Sequence, residues 1–316
     1  MNTEIFKDVY SKDDKQLISN ILNIDNKVYT RDDIINHPSL LRNINVIMSS
    51  WGAPILNNTF LNNAPNLKAF FYAAGSIRSF ITNDFWNKDI ALSSAWAANA
   101  IPVAEFTFAQ IILSLKNMWK YTSSLIKVPC KGTYKSNVGI ISLGMIGKLV
   151  TQKLASLDVN VYAYDPFISE TDAKKINIKL TSLNEIFEKC NVVSLHTPLL
   201  TETQNMITKE HFLLMKQNAT FINTSRGAIV NENHLIEVFS KRPDLTALLD
   251  VTVTEPPLKN SPIYTMKNIF LTPHIAGSLN NERQRLGHYM TEELIRWQQH
   301  KQLKYSINKD LAKRLA

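Results

Sequence analysis

Short apolar runs punctuate the chain, and turn-forming or charged residues separate them. In the first hundred residues two runs read as strands, Ile44–Met48 and Leu67–Tyr72, with helical patterns before and between them. From Val138 onward the rhythm becomes strand, helix, strand. The predicted strands are Val138–Ile141, Val159–Tyr164, Val192–Leu195, Thr220–Asn223, Leu245–Val251 and Ile269–Leu271. They are short and apolar, as strands are when both faces of a sheet are covered. Helical patterns fall between the early ones, over Ile146–Leu157 and Asn233–Ser240. This alternation predicts a parallel, doubly wound sheet.

Two further helices set the organisation. Asn99-Ala100-Ile101-Pro102 offers a cap at Asn99 and a proline suited to a first helical turn. The stretch from there to about Leu115 is apolar on most faces and reads as a buried bridge between domains. A last helix, roughly Asn281–His300, carries Leu286, Met290, Leu294 and Trp297 at helical spacing and returns the chain to the first domain. The expected division is residues 1–101 with 286–316 against 102–285. A length of 316 residues suits two domains with real cores.

Composition narrows the class. Apolar residues make up 45% and charged residues 20%, as in soluble globular proteins. The opening Met1-Asn2-Thr3-Glu4-Ile5-Phe6-Lys7-Asp8 has early acids and no apolar core, so no secretory signal is expected. No run of about 18 apolar residues occurs, so no membrane span is expected. Cys130 and Cys190 lie far apart and form neither a metal motif nor a disulfide framework. A reduced cytoplasm is the expected location. The net charge of +8 invites a nucleic-acid reading, but the lysines are dispersed and interleaved with acids. A generally lysine-rich composition explains it, and no nucleic-acid partner is expected.

The first candidate chemistry follows the Val138–Ile141 strand. Ser142-Leu143-Gly144-Met145-Ile146-Gly147 matches two of the three glycines of G-x-G-x-x-G. Gly144 would let the backbone approach a pyrophosphate, and Gly147 would let helix pack on strand. The helix N-terminus would face the phosphates. Ser142 stands where the turn glycine is usual, so the turn alone could be an ordinary βα connection. Its context supports a cofactor. The second strand ends at Tyr164-Asp165-Pro166, and Asp165 lies 18 residues beyond Gly147. A carboxylate there accepts from the adenosine ribose hydroxyls and repels the extra phosphate of NADP. Asp165 could otherwise be a surface acid before proline.

The second candidate chemistry lies at the strand ends. His196, Arg226, Asp250 and His274 each follow or end an apolar strand. In an open parallel sheet the ligand lies outside the carboxyl ends of the strands, so all four should face one crevice. Reducing a carbonyl needs a proton donor, a partner for that donor's second nitrogen and a fixed cation for a carboxylate. His274, Glu255 and Arg226 fit those needs. A histidine after proline, an arginine before Gly227 and an acid beside Pro256-Pro257 each have bland loop readings. His196 could line a cofactor pocket or buttress its loop. His37, His211, His234, His288 and His300 are left as structural or exposed.

Several segments, in order, resemble the D-isomer-specific 2-hydroxyacid dehydrogenases. They are Val103-Ala104-Glu105, Val193-Ser194-Leu195-His196-Thr197-Pro198-Leu199 with Thr203, Phe221-Ile222-Asn223-Thr224-Ser225-Arg226-Gly227, Asp250-Val251 with Glu255-Pro256, and Leu271-Thr272-Pro273-His274-Ile275-Ala276-Gly277. The match covers residues 99–290 well and is looser before them. The resemblance implies an α/β fold of two doubly wound parallel-sheet domains: a flavodoxin-like substrate domain and a Rossmann NAD-binding domain. It implies NAD-dependent hydride transfer at C2 of a small D-2-hydroxy or 2-oxo acid. In that reading Arg226 binds the substrate carboxylate and carbonyl, His274 is the general acid/base, and Glu255 orients it and raises its pKa. Asp250 would hold the nicotinamide carboxamide. Met145, Ile146, Thr224 and Ser225 would line the cofactor. Pro166, Thr197, Pro198, Thr203, Ala276 and Gly277 join that set. Formate dehydrogenases resemble the family but carry glutamine at the glutamate position, so Glu255 favours the hydroxy-acid branch.

The chain also departs from the family. The glycine-rich loop that offers N–H groups to the substrate carboxylate corresponds to Tyr72-Ala73-Ala74-Gly75-Ser76-Ile77-Arg78. The usual acidic or amide positions after the glycine are absent. Arg78 could select a larger anionic substrate or be a solvated arginine. Trp51 could be a pocket wall or interdomain packing. The stretch Asn117–Asn137 is short where the family often has a dimerising arm, yet a homodimer is still expected. The competing readings are a non-catalytic NAD(H)-binding regulator on the same fold and a partner-binding module with no cofactor.

Overall fold

The computed structural model describes residues 8–25, 27–122, 129 and 132–314. Cys130, the first seven residues and parts of the 117–137 stretch lie outside the described residues. The chain forms two compact units. One comprises Met1–Asn99 with Ser278–Ala316, and the other Ala100–Gly277. The first boundary lies two residues before the expected one. The second lies eight residues earlier than expected, because the whole closing helix, Glu282–Gln298, belongs to the first unit. Its Leu286, Met290 and Leu294 pack with Val9, Tyr10, Ile18 and Phe71 there.

In the first unit a parallel sheet contains β1 (Val46–Ser49), β2 (Ala69–Tyr72) and β3 (Ala91–Ser94) in the order β1-β2-β3. The reversal of strand order expected of a flavodoxin-like sheet is not seen among the described residues. Sequence patterning did not reveal β3, since half of it is serine. Ser93 and Ser94 are both fully buried, and their hydroxyls are bonded within the protein. Glu293 on the closing helix is also fully buried. It accepts from the Ser93 hydroxyl at 2.8 Å and from the N–H groups of Lys304 and Tyr305 at 2.9 and 3.0 Å. Three donors satisfy a carboxylate that burial would otherwise penalise.

Among the described residues the second unit holds seven parallel strands: β4 (Asn137–Ile141), β5 (Asn160–Tyr164), β6 (Lys179–Leu180), β7 (Val192–Leu195), β8 (Thr220–Asn223), β9 (Thr246–Leu249) and β10 (Ile269–Leu271). Their order is β10-β9-β8-β7-β4-β5-β6. The chain builds outward from β4 through β5 to β6, then returns to β7 on the other side. This doubly wound order confirms the parallel α/β architecture. The apolar runs follow from it. Ile141, Val193, Leu195, Phe221 and Leu249 pack on one face, while Ile140, Val192, Ile222 and Leu248 pack on the other. Successive side chains point to opposite faces, so a strand covered twice must be apolar throughout.

The bridge helix runs from Trp96 to Leu115, so it starts four residues before the Ala100 that a cap at Asn99 would give. Asn99 therefore sits within the helix, its N–H bonded to the Ala95 carbonyl. Its side-chain oxygen instead accepts from the Ser278 N–H at 3.0 Å. Pro102 lies inside the helix, where it removes one backbone donor. By length and composition this helix is apolar enough to cross a bilayer, although Asn99, Glu105, Thr107, Gln110 and Ser114 interrupt its apolar residues. Its apolar residues are used in packing, with Ala104, Ile111 and Leu115 in the core of the second unit.

Candidate active site

Strand register brings the site residues of the second unit to one edge. Leu271, Leu249, Asn223, Leu195, Ile141 and Tyr164 pair successively across the sheet. The residues that follow them therefore emerge in a row at the carboxyl ends: Thr272 to His274, Asp250, Thr224 to Arg226, His196, Ser142 and Asp165. The strand order reverses between β4 and β7, where an open α/β sheet has its ligand crevice.

The turn after β4 is shaped for a dinucleotide. Ser142 adopts φ 77°, the left-handed conformation that explains why glycine is usual there. A Cβ on Gly147 would lie 2.1 Å from the Ser142 carbonyl oxygen, so helix and turn touch only because that atom is missing. A Cβ on Gly144 would meet nothing within 4 Å. Internal packing thus leaves space in front of Gly144, and Gly144 is the N-cap of the Met145–Leu154 helix with no side chain capping it. The free N–H groups and the space fit a pyrophosphate. Met145 is exposed and Ile146 half-buried beside it.

Asp165 closes the turn. One carboxylate oxygen accepts from the Leu143 N–H at 2.7 Å, and the other from the Phe167 N–H at 2.8 Å. Lone pairs remain on both oxygens for ribose hydroxyls, and Pro166 is exposed next to them. Replacing Asp165 with Asn removes the charge and turns one of the two accepting oxygens into a donor, so one of the two N–H groups it holds loses its acceptor. The change is expected to weaken NADH by about ten-fold and NADPH less, since lost repulsion offsets lost acceptors. Titration of both cofactors checks this, and an unchanged preference would count against a ribose role.

His196 is buried, and burial pushes its pKa down to about 3. Nε2 lies 3.0 Å from the Ser194 hydroxyl, while Nδ1 is buried without a partner. Thr197 is buried beside it, and the Thr203 hydroxyl donates to the Pro198 carbonyl at 2.7 Å, folding the loop back on itself. The imidazole is neutral when folded but binds a proton near its ordinary 6.5 when unfolded. Between those values the unfolded state holds more protons, so its contribution to stability is present above pH 6.5 and is lost as pH falls toward 3. Urea midpoints should therefore show the protein losing about 1.4 kcal/mol per pH unit more than His196→Asn between about pH 5.5 and 4. Equal slopes would show that His196 is not held neutral.

Asp250 is buried, and its carboxylate holds the histidine segment. It accepts from the Thr272 hydroxyl at 2.6 Å and from the N–H groups of Ile275 and Ala276 at 2.8 and 2.9 Å. Its own carbonyl accepts from the His274 N–H at 3.0 Å. Those bonds hold His274 at φ 54°, a conformation that costs a non-glycine residue about 1 kcal/mol or more. Of roughly four carboxylate lone-pair sites, about one is left for a carboxamide. The sequence reading missed this scaffolding, and the Thr272 hydroxyl was its only visible signal.

His274 Nδ1 lies 2.7 Å from Glu255 Oε2. A carboxylate only accepts, so Nδ1 carries the proton and Nε2 is the atom open to chemistry. Both side chains are partly exposed. The glutamate segment is held from behind, where Val253 N–H donates to Glu232 Oε2 at 3.0 Å and the Glu255–Pro256 peptide is cis. Arg226 donates through Nη1 to the Ser225 carbonyl at 2.7 Å. Asn223 shapes that segment, accepting from the Ser225 N–H and donating to the Arg226 carbonyl. Thr224 shares a 3.0 Å hydroxyl contact with Thr107 of the bridge helix. A Cβ on Gly227 would lie 2.0 Å from the Thr252 carbonyl carbon, so the arginine and glutamate segments run in backbone contact.

The remaining candidates lie in the first unit. Ala74, Gly75 and Ser76 form the turn after β2, and Trp51 follows β1, both at the carboxyl edge of that sheet. The Arg283 guanidinium sits 6.0 Å from the Trp51 ring centre and pairs with Asp8. Arg78 is exposed, and its Nη2 donates to the Lys313 carbonyl at 3.1 Å, which ties it to the C-terminal segment.

A glycine turn with an uncapped helix N-terminus at the reversal point of a parallel sheet is the arrangement of dinucleotide-binding α/β domains. Residues 112–276 match the D-isomer specific 2-hydroxyacid dehydrogenase, NAD binding domain, and the chain belongs to that family. Over 262 residues it is 28% identical to the D-3-phosphoglycerate dehydrogenase of Methanocaldococcus jannaschii, covering 80% of this chain and 50% of that protein. It is 33% identical over 227 residues to the erythronate-4-phosphate dehydrogenase of Wigglesworthia glossinidia brevipalpis, covering 70% and 55%. The chain thus spans about half the length of these relatives. Among solved structures, apo D-mandelate dehydrogenase of Rhodotorula graminis shares the fold, with a TM-score of 0.79 at 20% identity over 93% of this chain and 94% of that one.

Proposed function

We propose that the protein is an NAD-dependent dehydrogenase acting at C2 of a small D-2-hydroxy or 2-oxo acid. The observation that carries this reading is the His274–Glu255 pair at 2.7 Å, at the same sheet edge as Arg226. NAD(H), when bound, supplies or accepts the hydride. In the reducing direction His274 gives its Nε2 proton to the oxygen that becomes the C2 hydroxyl. In the oxidising direction Nε2 takes that proton back. Glu255 keeps Nδ1–H engaged, so the ring cannot turn its other nitrogen to the substrate. Arg226 offers a planar fork of donors matched to the carboxylate and C2 oxygen of a 2-oxo acid. The relatives' names include phosphorylated acids, but Arg78, the candidate for a second substrate cation, is engaged with the Lys313 carbonyl. That favours a small monoanionic 2-oxo acid, such as glyoxylate or hydroxypyruvate. The test is NADH consumption over a panel of 2-oxo acids with chiral analysis of the product. D-product from at least one acid supports the reading; no consumption, or L-product, overturns it.

A further inference from the structure

We infer that Glu232, which opens the Glu232–Lys241 helix, is a positioning residue that holds Glu255 against His274. The inference deepens the function proposed above and rests on it. Val253, Thr254, Glu255 and Pro256 are all exposed, so no packed side chain fixes where the Glu255 carboxylate stands. Backbone bonds must do so, and the stretch has few to make. Pro256 and Pro257 carry no N–H. Among the described residues the N–H groups of Thr254 and Glu255 engage no acceptor, and Val253 N–H is the donor that does. It meets Glu232 Oε2 at 3.0 Å. The Thr252 hydroxyl donates to the Thr254 carbonyl at 2.7 Å, which tightens the turn without tying it to another element. The Tyr264 hydroxyl holds the far end, donating to the Pro257 carbonyl at 3.1 Å.

The place of Glu232 suits it to this task. Asn231 caps the helix, so the Glu232 carboxylate is not taken up by the helix's own N–H groups. The positive helix end favours its ionised form, and an ionised acceptor makes a stronger bond than a neutral one. The segment that leads from Arg226 to Glu232 also carries Gly227, which abuts the Thr252–Val253 peptide. Glu232 bonds the N–H of that same peptide, so one peptide unit is gripped twice. The glycine contact limits how near the peptide can come, and the carboxylate fixes which way its N–H points. From this fixed peptide the chain leads directly to Glu255, whose Oε2 lies 2.7 Å from His274 Nδ1. Without the Glu232 bond the peptide can rotate and carry Glu255 away from the ring.

The imidazole reports on Glu255 without turnover. A neutral histidine bonded to a carboxylate through Nδ1 keeps its proton there, and a released ring can move it to Nε2. We would read the His274 tautomer by proton–nitrogen NMR of the histidine-labelled full chain at about pH 9, above the ordinary histidine value. Its signal is assigned by its loss in His274→Gln. Turnover and NADH affinity would be measured on the same preparations. The wild type should show the Nδ1–H form. Glu232→Ala should shift His274 toward Nε2–H and lower kcat about ten-fold, the scale of one lost hydrogen bond, with KM and NADH affinity unchanged. Glu232→Gln keeps an acceptor at the same reach and should restore kcat to within about three-fold. Glu232→Asp keeps the charge but falls short by one methylene. It should follow Glu232→Ala, and it carries the test if that variant does not fold. In a Glu255→Gln background, adding Glu232→Ala should lower kcat by less than about two-fold, because its route to the histidine is gone. Glu237 supplies the control, since it lies on the same helix and pairs with Lys209 and Lys241. Glu237→Ala should leave tautomer and kcat unchanged. The inference is overturned if Glu232→Ala keeps the wild-type tautomer, if it costs as much in the Glu255→Gln background, or if Glu237→Ala has the same effect. A wild type that reduces no 2-oxo acid, while Glu232→Ala still moves the proton, would overturn the proposed function and leave this assignment standing.

Discussion

Replacing His274 with glutamine is expected to lower kcat by about 10²–10⁴-fold, the usual contribution of a positioned general acid, while NADH binding stays near normal. Glutamine can still face Glu255 but has no titrating proton to give to the new hydroxyl. The fold should survive, because the loop is held by backbone groups and by Asp250 rather than by the imidazole. Thr272, Ile275 and Ala276 all donate to that buried carboxylate, and the His274 N–H donates to its carbonyl. Stopped-flow turnover paired with NADH fluorescence titration separates the two effects. Near-normal turnover in the variant would refute the role given to His274. Loss of turnover and cofactor binding together would point to a collapsed loop instead.

The second large effect is expected at a residue with no functional group. Gly227→Ala would place a Cβ 2.0 Å from the Thr252 carbonyl carbon, 2.1 Å from its oxygen and 2.4 Å from the Val253 nitrogen. These are backbone atoms and cannot rotate away as a side chain could. The segment after Arg226 must then part from the segment leading to Glu255. Overpacking of this kind destabilises by about 1–3 kcal/mol. The displacement falls between Arg226 and Glu255, so under the proposed function kcat/KM should fall by about 10²-fold or more, as a misplacement near 1 Å can cause. Urea unfolding and steady-state kinetics on the same preparation check both. Wild-type kinetics in a merely less stable Gly227→Ala would show that the backbone contact does not position the two side chains. Gly144→Ala provides a contrast. With nothing within 4 Å of its Cβ, it should leave stability nearly unchanged and weaken the dinucleotide.

Much of the second unit was legible in the sequence for a simple reason. Its strands are covered on both faces, so each appears as an unbroken apolar run, and the polar residue after each run marks the carboxyl edge. His274, Arg226, Asp250 and His196 were found in this way. In the first unit β3 escaped, because Ser93 and Ser94 place hydroxyls where a buried strand is expected to be apolar. Those hydroxyls are satisfied by Glu293, far along the chain, and by carbonyls of a loop on the neighbouring strand. Asn99 was misread as a cap because its true hydrogen-bond partner, the Ser278 N–H, is 179 positions away.

By itself the sequence determined the α/β class, every strand described in the second unit except the two-residue β6, and the residue types at its carboxyl edge. Periodicity, turn chemistry and motif spacing are local, and local rules suffice for them. Only the tertiary structure decided that Asp250 holds the histidine loop, that Arg78 is tied to the C-terminal segment, and that the return to the first unit comes before the closing helix. Each of these depends on groups distant in the chain becoming neighbours, and parallel-sheet register and burial, rather than local pattern, decide which ones do.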